Sequence, residues 1–242
     1  MPPALPAPPE APLAALFGDR RTLAVRFAGH LAGSAVERGL VGPREIPRIW
    51  ERHILNCAVV HPLVGRDASV VDVGSGAGLP GLVLAIARPD LRLTLVEPLQ
   101  RRVVWLEEVV DDLRLDNVQV VRARAEALAG GVDADVATAR AVAALPTLAG
   151  WCLPLLRPGG VLLALKGQSA EQEVLDARRD LEALGADSWS VLTLGEDVLE
   201  VPTTVVSVLK GRAATPGRAA TDARTAAGRA SAPKRRPRRG RS

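Results

Sequence analysis

Two cysteines, Cys57 and Cys152, and three histidines, His30, His53 and His61, are all the soft metal ligands that 242 residues contain. None has the close spacing of a metal site, and two isolated thiols in a reducing compartment predict buried free cysteines, with no disulfide and no metal. No apolar stretch reaches membrane-spanning length. The opening MPPALPAPPEAPL carries five prolines in nine positions and no basic segment. It reads as a disordered lead over residues 1–12 and not as a signal peptide. A cytoplasmic protein without a membrane partner is the expectation.

Acidic residues are nearly missing from one end. From residue 211 onward there are ten Lys/Arg and one acid, Asp222, so this stretch carries +9 and residues 1–210 carry −5. Rich in Ala, Gly and Pro with no apolar face, residues 211–242 are expected to be a disordered basic tail. Such a tail supplies non-specific, salt-sensitive attraction to nucleic acid, or serves only as a solubilising extension.

What is present is a nucleotide-type turn. Residues 70–81, VVDVGSGAGLPG, run an apolar strand into a glycine-rich loop and then a helix. Gly74, Gly76 and Gly78 leave no side chain in a ligand's approach path. A dinucleotide fingerprint needs glycine where Leu79 stands, and a P-loop needs a Lys-Ser or Lys-Thr pair that the chain lacks. What remains is the spaced-glycine loop of class I S-adenosylmethionine-dependent methyltransferases. Glu97, ending the next apolar run LRLTLVE, is the carboxylate that would accept from both ribose hydroxyls.

The wider pattern agrees. Leu16, Leu23, Phe27 and Leu31 fall at helical spacing, and a further helix is expected from Pro47 with Ile49, Trp50, Ile54 and Leu55. This gives an N-terminal helical region, residues 13–66. Residues 67–210 then alternate strand and helix: VVDVG, LRLTLVE, NVQVV, DADVATA, VLLALK after an RPGG turn, WSVLTL and TTVVSVL. The last two are joined by only GEDVLEVP, too short for a parallel crossover. The expected fold is therefore α/β and Rossmann-like, a seven-stranded sheet with one antiparallel strand preceded by helices.

Several segments together resemble the bacterial small-subunit rRNA methyltransferase G family, also called the glucose-inhibited division protein B family. They are IWERHILN (49–56), the glycine loop, LVEP (95–98), LDNVQVVRARAE (115–126), ATARAVA (137–143) and LLALKG (162–167), spanning roughly residues 38–210. The resemblance implies methyl transfer from S-adenosylmethionine to N7 of a guanine in the decoding-region loop of 16S rRNA, alone or in the 30S subunit, by a monomer. It puts Gly74 and Leu79 at the cofactor loop, Ala125 and Glu126 beside the adenine, and Arg140 near the reacting end. Two departures stand out: Gln100, Arg101 and Arg102 replace the family's usual Lys-Arg pair, and there is no tyrosine to stack on a base.

The missing motifs fit that chemistry. No N-P-P-[YF] turn is present for an exocyclic amine, and Cys152 lies in the apolar WCLPLL run as a packed thiol rather than a nucleophile. Guanine N7 offers an in-plane lone pair and no proton to remove, so no general base is required. Arg140 is expected to meet an acceptor such as guanine O6, a phosphate or the cofactor carboxylate, or to form a structural ion pair. Asp72 is expected to orient the glycine loop. Arg48, Arg52, His53, Arg101, Arg102 and Lys166 are candidate RNA contacts, although a solvated face, a structural histidine or a strand end explains each one equally well. Two other functions stay open: a methyltransferase for a small molecule or protein, and a catalytically silent RNA-binding or assembly protein.

Overall fold

The computed structural model describes residues 4–212. Seven strands form one sheet in the order β3-β2-β1-β4-β5-β7-β6. They are β1 Ser69–Val73, β2 Arg92–Val96, β3 Val118–Val121, β4 Ala134–Arg140, β5 Leu156–Lys166, β6 Ala186–Leu194 and β7 Thr203–Lys210. β1 to β5 pair in parallel, and β7 runs antiparallel to both β5 and β6. The short link between the last two strands does reverse the chain, as its length requires.

Strand side chains alternate between two cores, which is what the period of two dictates for a sheet covered on both faces. Val70, Leu93, Leu95, Val136, Leu163, Leu165 and Val205 join one cluster, while Val71, Val96, Ala137, Leu162, Ala164 and Val206 join the other. The first face is covered by α5 (Gly81–Ala87), α6 (Gln100–Leu113) and the N-terminal helices α1 (Glu10–Phe17), α2 (Arg21–Ala32) and α3 (Ser34–Glu37). Leu13, Phe17, Phe27 and Leu31 form the buried stripe of that N-terminal layer. The other face is covered by α7 (Leu145–Cys152) and α8 (Ala170–Ala183), whose Val174, Ala177 and Leu181 point inward at helical spacing.

Three expectations need correction. The lead expected over residues 1–12 gives way to helix at Glu10, because Leu13 and Phe17 have a core to enter, and the Pro6 carbonyl accepts a 2.9 Å hydrogen bond from the Trp50 indole. The helix expected from Pro47 is a composite: a 3₁₀ segment Pro43–Arg48, a π-helical turn Ile49–Leu55 and a short α4, Asn56–Ala58. RPGG, read as a turn, lies inside β5, opposite a register shift between Ala134 and Val136. Gly160 makes this possible, since a Cβ there would come within 3.0 Å of the Asp135 carbonyl. Of the expected basic tail, Gly211 and Arg212 are described and the rest lies outside the described residues. Among the described residues no helix is long and apolar enough to cross a membrane.

Candidate active site

The strand order reverses between β1 and β4, and in open α/β sheets the crevice beyond the strand ends at such a point is where ligands bind. A cleft of about 470 Å³ lies there. Its floor is the glycine turn after β1, its walls the segments after β2, β3 and β4. The turn is rigidly made. Asp72 is fully buried, accepting from Thr138 Oγ1 at 2.8 Å and from the Gly81 N–H at 3.2 Å. Burial, only partly offset by these hydrogen bonds, raises its pKa to about 6. Asp72 thus fixes the loop to the next helix, the role expected for it.

Glu97 is 1% exposed, just past the end of β2. Its carboxylate accepts the Gly76 N–H at 3.0 Å through one oxygen and the Leu99 N–H at 3.0 Å through the other. Oε1 keeps a second lone pair for a ribose hydroxyl, while Oε2 also accepts from Arg102 Nη1 at 3.4 Å, a long bond that a second hydroxyl would have to displace. Arg102 lies 3.4 Å from it, and the Arg102 Nε is buried without a partner among the described residues. A glycine turn, a buried two-oxygen acceptor aimed past it and the small Ala123 and Ala125 beside it fit S-adenosylmethionine.

At the far end, Arg140 closes β4 and faces the N-terminal segment. Its guanidinium donates to the Arg52 carbonyl at 2.9 Å, to Cys57 Sγ at 3.3 Å and to His53 Nδ1. His53 Nε2 in turn lies 3.0 Å from a Glu45 carboxylate oxygen. Burial first, and the Arg140 charge second, lowers the His53 pKa to about 4. The imidazole is therefore neutral at pH 7, and the network assigns its proton to Nε2, donated to Glu45. On Glu45 the raising effect of burial is outweighed by the His53 hydrogen bond and the Arg52 charge, which hold it below the usual carboxylate range. π-helical turns recur at functional sites, and the one here, Ile49–Leu55, supplies both the Arg52 carbonyl and the His53 ring.

Gly74, Gly76, Glu97, Ala125, Glu126, Arg140 and Arg102 line the cleft together. Gly78 and Leu79 do not. A Cβ on Gly78 would fall 2.4 Å from Leu82, so this glycine is needed for close packing, and Leu79 leans on the core. His53, a candidate RNA contact, is 8% exposed with both ring nitrogens engaged inside the protein. Lys166 is also tied down, donating to the Ala143 carbonyl at 2.8 Å and to Glu173 at 2.7 Å. Arg48, Arg52 and Arg101 are exposed. Cys57 and Cys152 are buried free thiols, both raised in pKa by burial.

Residues the sequence did not flag also matter. Val142 and Trp151 line the cleft, although Trp151 reads as a core residue of an apolar helix. Glu45 and Glu173 meet His53 and Lys166 where the chain passes from one element to the next. Asn56 had a signal in the IWERHILN string: its amide donates to Thr203 Oγ1 at 2.7 Å, joining the N-terminal segment to β7.

Comparison with known proteins agrees with this architecture. Ribosomal RNA small subunit methyltransferase G from Pseudarthrobacter chlorophenolicus is 60% identical over 194 residues, 80% of this chain and 90% of that protein. The protein of the same name from Salinispora tropica is 55% identical over 218 residues, 86% of this chain and 90% of its own. Among solved structures, M. jannaschii TYW2 in complex with AdoMet matches with a TM-score of 0.54 at 17% identity, over 68% of this chain and 78% of that one. A SAM-dependent O-methyltransferase from Thermotoga maritima matches at 0.52 and 16%, over 71% of each. At these identities the two structures show the fold alone, which is that of class I methyltransferases. The model of the family described as rRNA small subunit methyltransferase G matches residues 20–201, and the chain belongs to that family.

Proposed function

We propose that this rRNA methyltransferase, which takes its methyl group from S-adenosylmethionine, methylates N7 of a guanine in the decoding-region loop of 16S rRNA. The observation that carries the reading is the reacting end of the cleft. There Arg140 is held by a neutral His53 whose two ring nitrogens are both engaged inside the protein, by Arg140 and by Glu45, so the ring is not free to take a proton from a substrate. N7 needs no base. Its lone pair forms the new N–C bond as the C–S bond breaks, the sulfur keeps the electron pair, and no proton moves until the cationic product leaves. S-adenosylmethionine supplies the activated methyl group. The chain's own residues supply alignment: the glycine turn and Glu97 hold one end, and Arg140 holds the other.

The guanidinium needs an acceptor beside it as positive charge develops on the base. Guanine O6, a phosphate or the cofactor carboxylate fits, and Arg140 has five N–H donors of which the protein takes only some. Arg52, Arg102 and Arg124 stand around the openings, a basic rim that favours a polyanionic substrate over a small apolar one. We place the reaction in the cytoplasm, with the protein acting as a monomer on 16S rRNA or the 30S subunit.

The test is methyl transfer from labelled S-adenosylmethionine to 30S subunits and to free 16S rRNA from cells lacking the activity, followed by nucleoside analysis. Labelled 7-methylguanosine in the decoding-region loop is the expected result. Cofactor binding without any incorporation into either RNA would refute the substrate.

A further inference from the structure

A second cavity, about 460 Å³ in volume, lies beside the cofactor cleft and shares Arg140 and Ala141 with it. The two meet at the end of β4, where the reacting atoms belong. One wall of the second cavity is apolar, made by Leu165, Pro202 and Val201, the last 75% exposed. The polar wall is an ion pair. Lys166, its side chain only 9% exposed, donates to Glu173 at 2.7 Å. Glu173 also accepts from Ser169 Oγ at 3.1 Å.

We propose that this cavity takes the unstacked target guanine and that the Lys166–Glu173 pair reads its Watson–Crick edge. The proposal rests on the guanine-N7 reading above. That edge presents, in order, the O6 acceptor, the N1–H donor and the N2 amino donor. Lys166 Nζ has three N–H groups, of which the Ala143 carbonyl and Glu173 take two, leaving one for O6. Glu173 accepts from Lys166 on one oxygen and from Ser169 on the other, and the Leu145 N–H also faces the carboxylate; the acceptor capacity left on its outer edge is what N1–H and the N2 amine would share. Adenine would set an amine against the ammonium and has no N1–H, so it leaves buried polar groups unpaired. The base must leave its stack to enter a cavity of this kind, as in other enzymes that react at a base atom.

The pair also acts on the rate. Methylation at N7 makes N1–H more acidic, so its hydrogen bond to a carboxylate strengthens as charge develops. That interaction is worth more in the transition state than in the ground state. Burial alone would raise the Glu173 pKa, but the Lys166 hydrogen bond and charge outweigh it and hold the group below its ordinary range, so the acceptor is ionised.

The experiment compares the full-length protein and Glu173→Gln on 30S subunits rebuilt with guanosine or inosine, which lacks the N2 amine, at the target position. On guanosine, Glu173→Gln should lose about 10- to 100-fold, mostly in kcat, with unchanged cofactor affinity and a lower melting temperature, since the buried Lys166 ammonium loses its counter-charge. On inosine the wild type should lose about tenfold, and Glu173→Gln should cost less than it does on guanosine, because the N2 hydrogen bond is already absent and only the one to N1–H remains to be lost. Equal losses on both bases, or a wild type indifferent to inosine, would make Glu173 a structural partner of Lys166 and overturn the proposal. The wild-type comparison gives its answer whatever the variant's stability. Absence of 7-methylguanosine from wild type on the guanosine substrate would instead bring down the functional reading itself.

Discussion

At the scale of single residues, Arg140 depends on groups far away in sequence. Its guanidinium is oriented by the neutral face of His53, and His53 by Glu45. Removing the ring leaves Arg140 one acceptor short and Glu45 without its donor. His53→Ala should therefore lower kcat/KM by about a hundredfold through misplacement, while cofactor affinity changes much less. His53→Gln, which can accept from Arg140 and donate to Glu45 at once, should recover part of that loss. Wild-type kcat/KM in the alanine variant would remove Arg140 orientation from the mechanism. The same residue opposes Asp72 in the pH dependence of stability. His53, lowered from 6.5 to about 4, binds fewer protons in the fold, so its contribution is full above pH 6.5 and is lost toward pH 4. Asp72, raised from 3.8 to about 6, binds more, so its contribution is greatest near pH 4 and falls as pH rises through 6. In Asp72→Asn the carbonyl oxygen can accept from Gly81 and the amide can donate to Thr138, so the loop anchor stays and only the titration goes. Urea melts between pH 4.5 and 6.5 should then show stability rising more steeply with pH than in wild type. Parallel slopes for the two proteins would contradict a raised Asp72.

At the scale of elements, the glycine turn divides its labour. Gly74, at φ +70 and with a Cβ that would sit 3.0 Å from Val142, borders the cleft, whereas Gly78, at φ +75, abuts Leu82 at 2.4 Å and lies away from it. Gly74→Asp is expected to abolish cofactor binding by isothermal calorimetry and keep a cooperative melt. Gly78→Ala is expected to cost about 1–3 kcal/mol of stability by combining positive φ with overpacking, and to bind cofactor once folded. The reverse pattern would reassign the turn. The sequence makes the strands legible because alternation and glycine punctuation are local signals: all seven apolar runs became strands, and the eight-residue link announced the reversed one. Glu97 was legible for the same reason, standing where a strand ends. The π-helical turn was not, since Ile49, Trp50, Ile54 and Leu55 satisfy ordinary helical spacing equally well. Nor were the Glu45 partner of His53 and the Glu173 partner of Lys166, eight and seven residues away, because each pair spans a change of element and so leaves no periodic trace. That Gly78 abuts Leu82 and Leu79 packs on the core was not legible either, because a loop motif does not say which of its members face the ligand and which face the next helix.

For the whole molecule, positive charge is unevenly placed. Residues 1–210 carry a net negative charge and the positive charge near the site is a rim of a few arginines, so we predict that long-range pull toward a polyanion comes from the basic residues after Gly211. Gly211 still belongs to the fold, since its N–H donates to the Gly185 carbonyl at 2.8 Å. A truncation should therefore end at Arg212, which removes nine Lys/Arg and one Asp, a net +8. Every phosphate that a protein neutralises steepens the decline of log affinity with log salt by about 0.7 to 0.9. The truncated protein should therefore bind rRNA more weakly at low salt, with a shallower slope, and converge on the full chain as salt rises. Its kcat on saturating 30S subunits should be unchanged, since both cavities and the Arg140 network are intact. Equal salt slopes for the two proteins would leave the basic segment without a role in RNA capture. A fall in kcat at saturation would instead tie it to the chemistry.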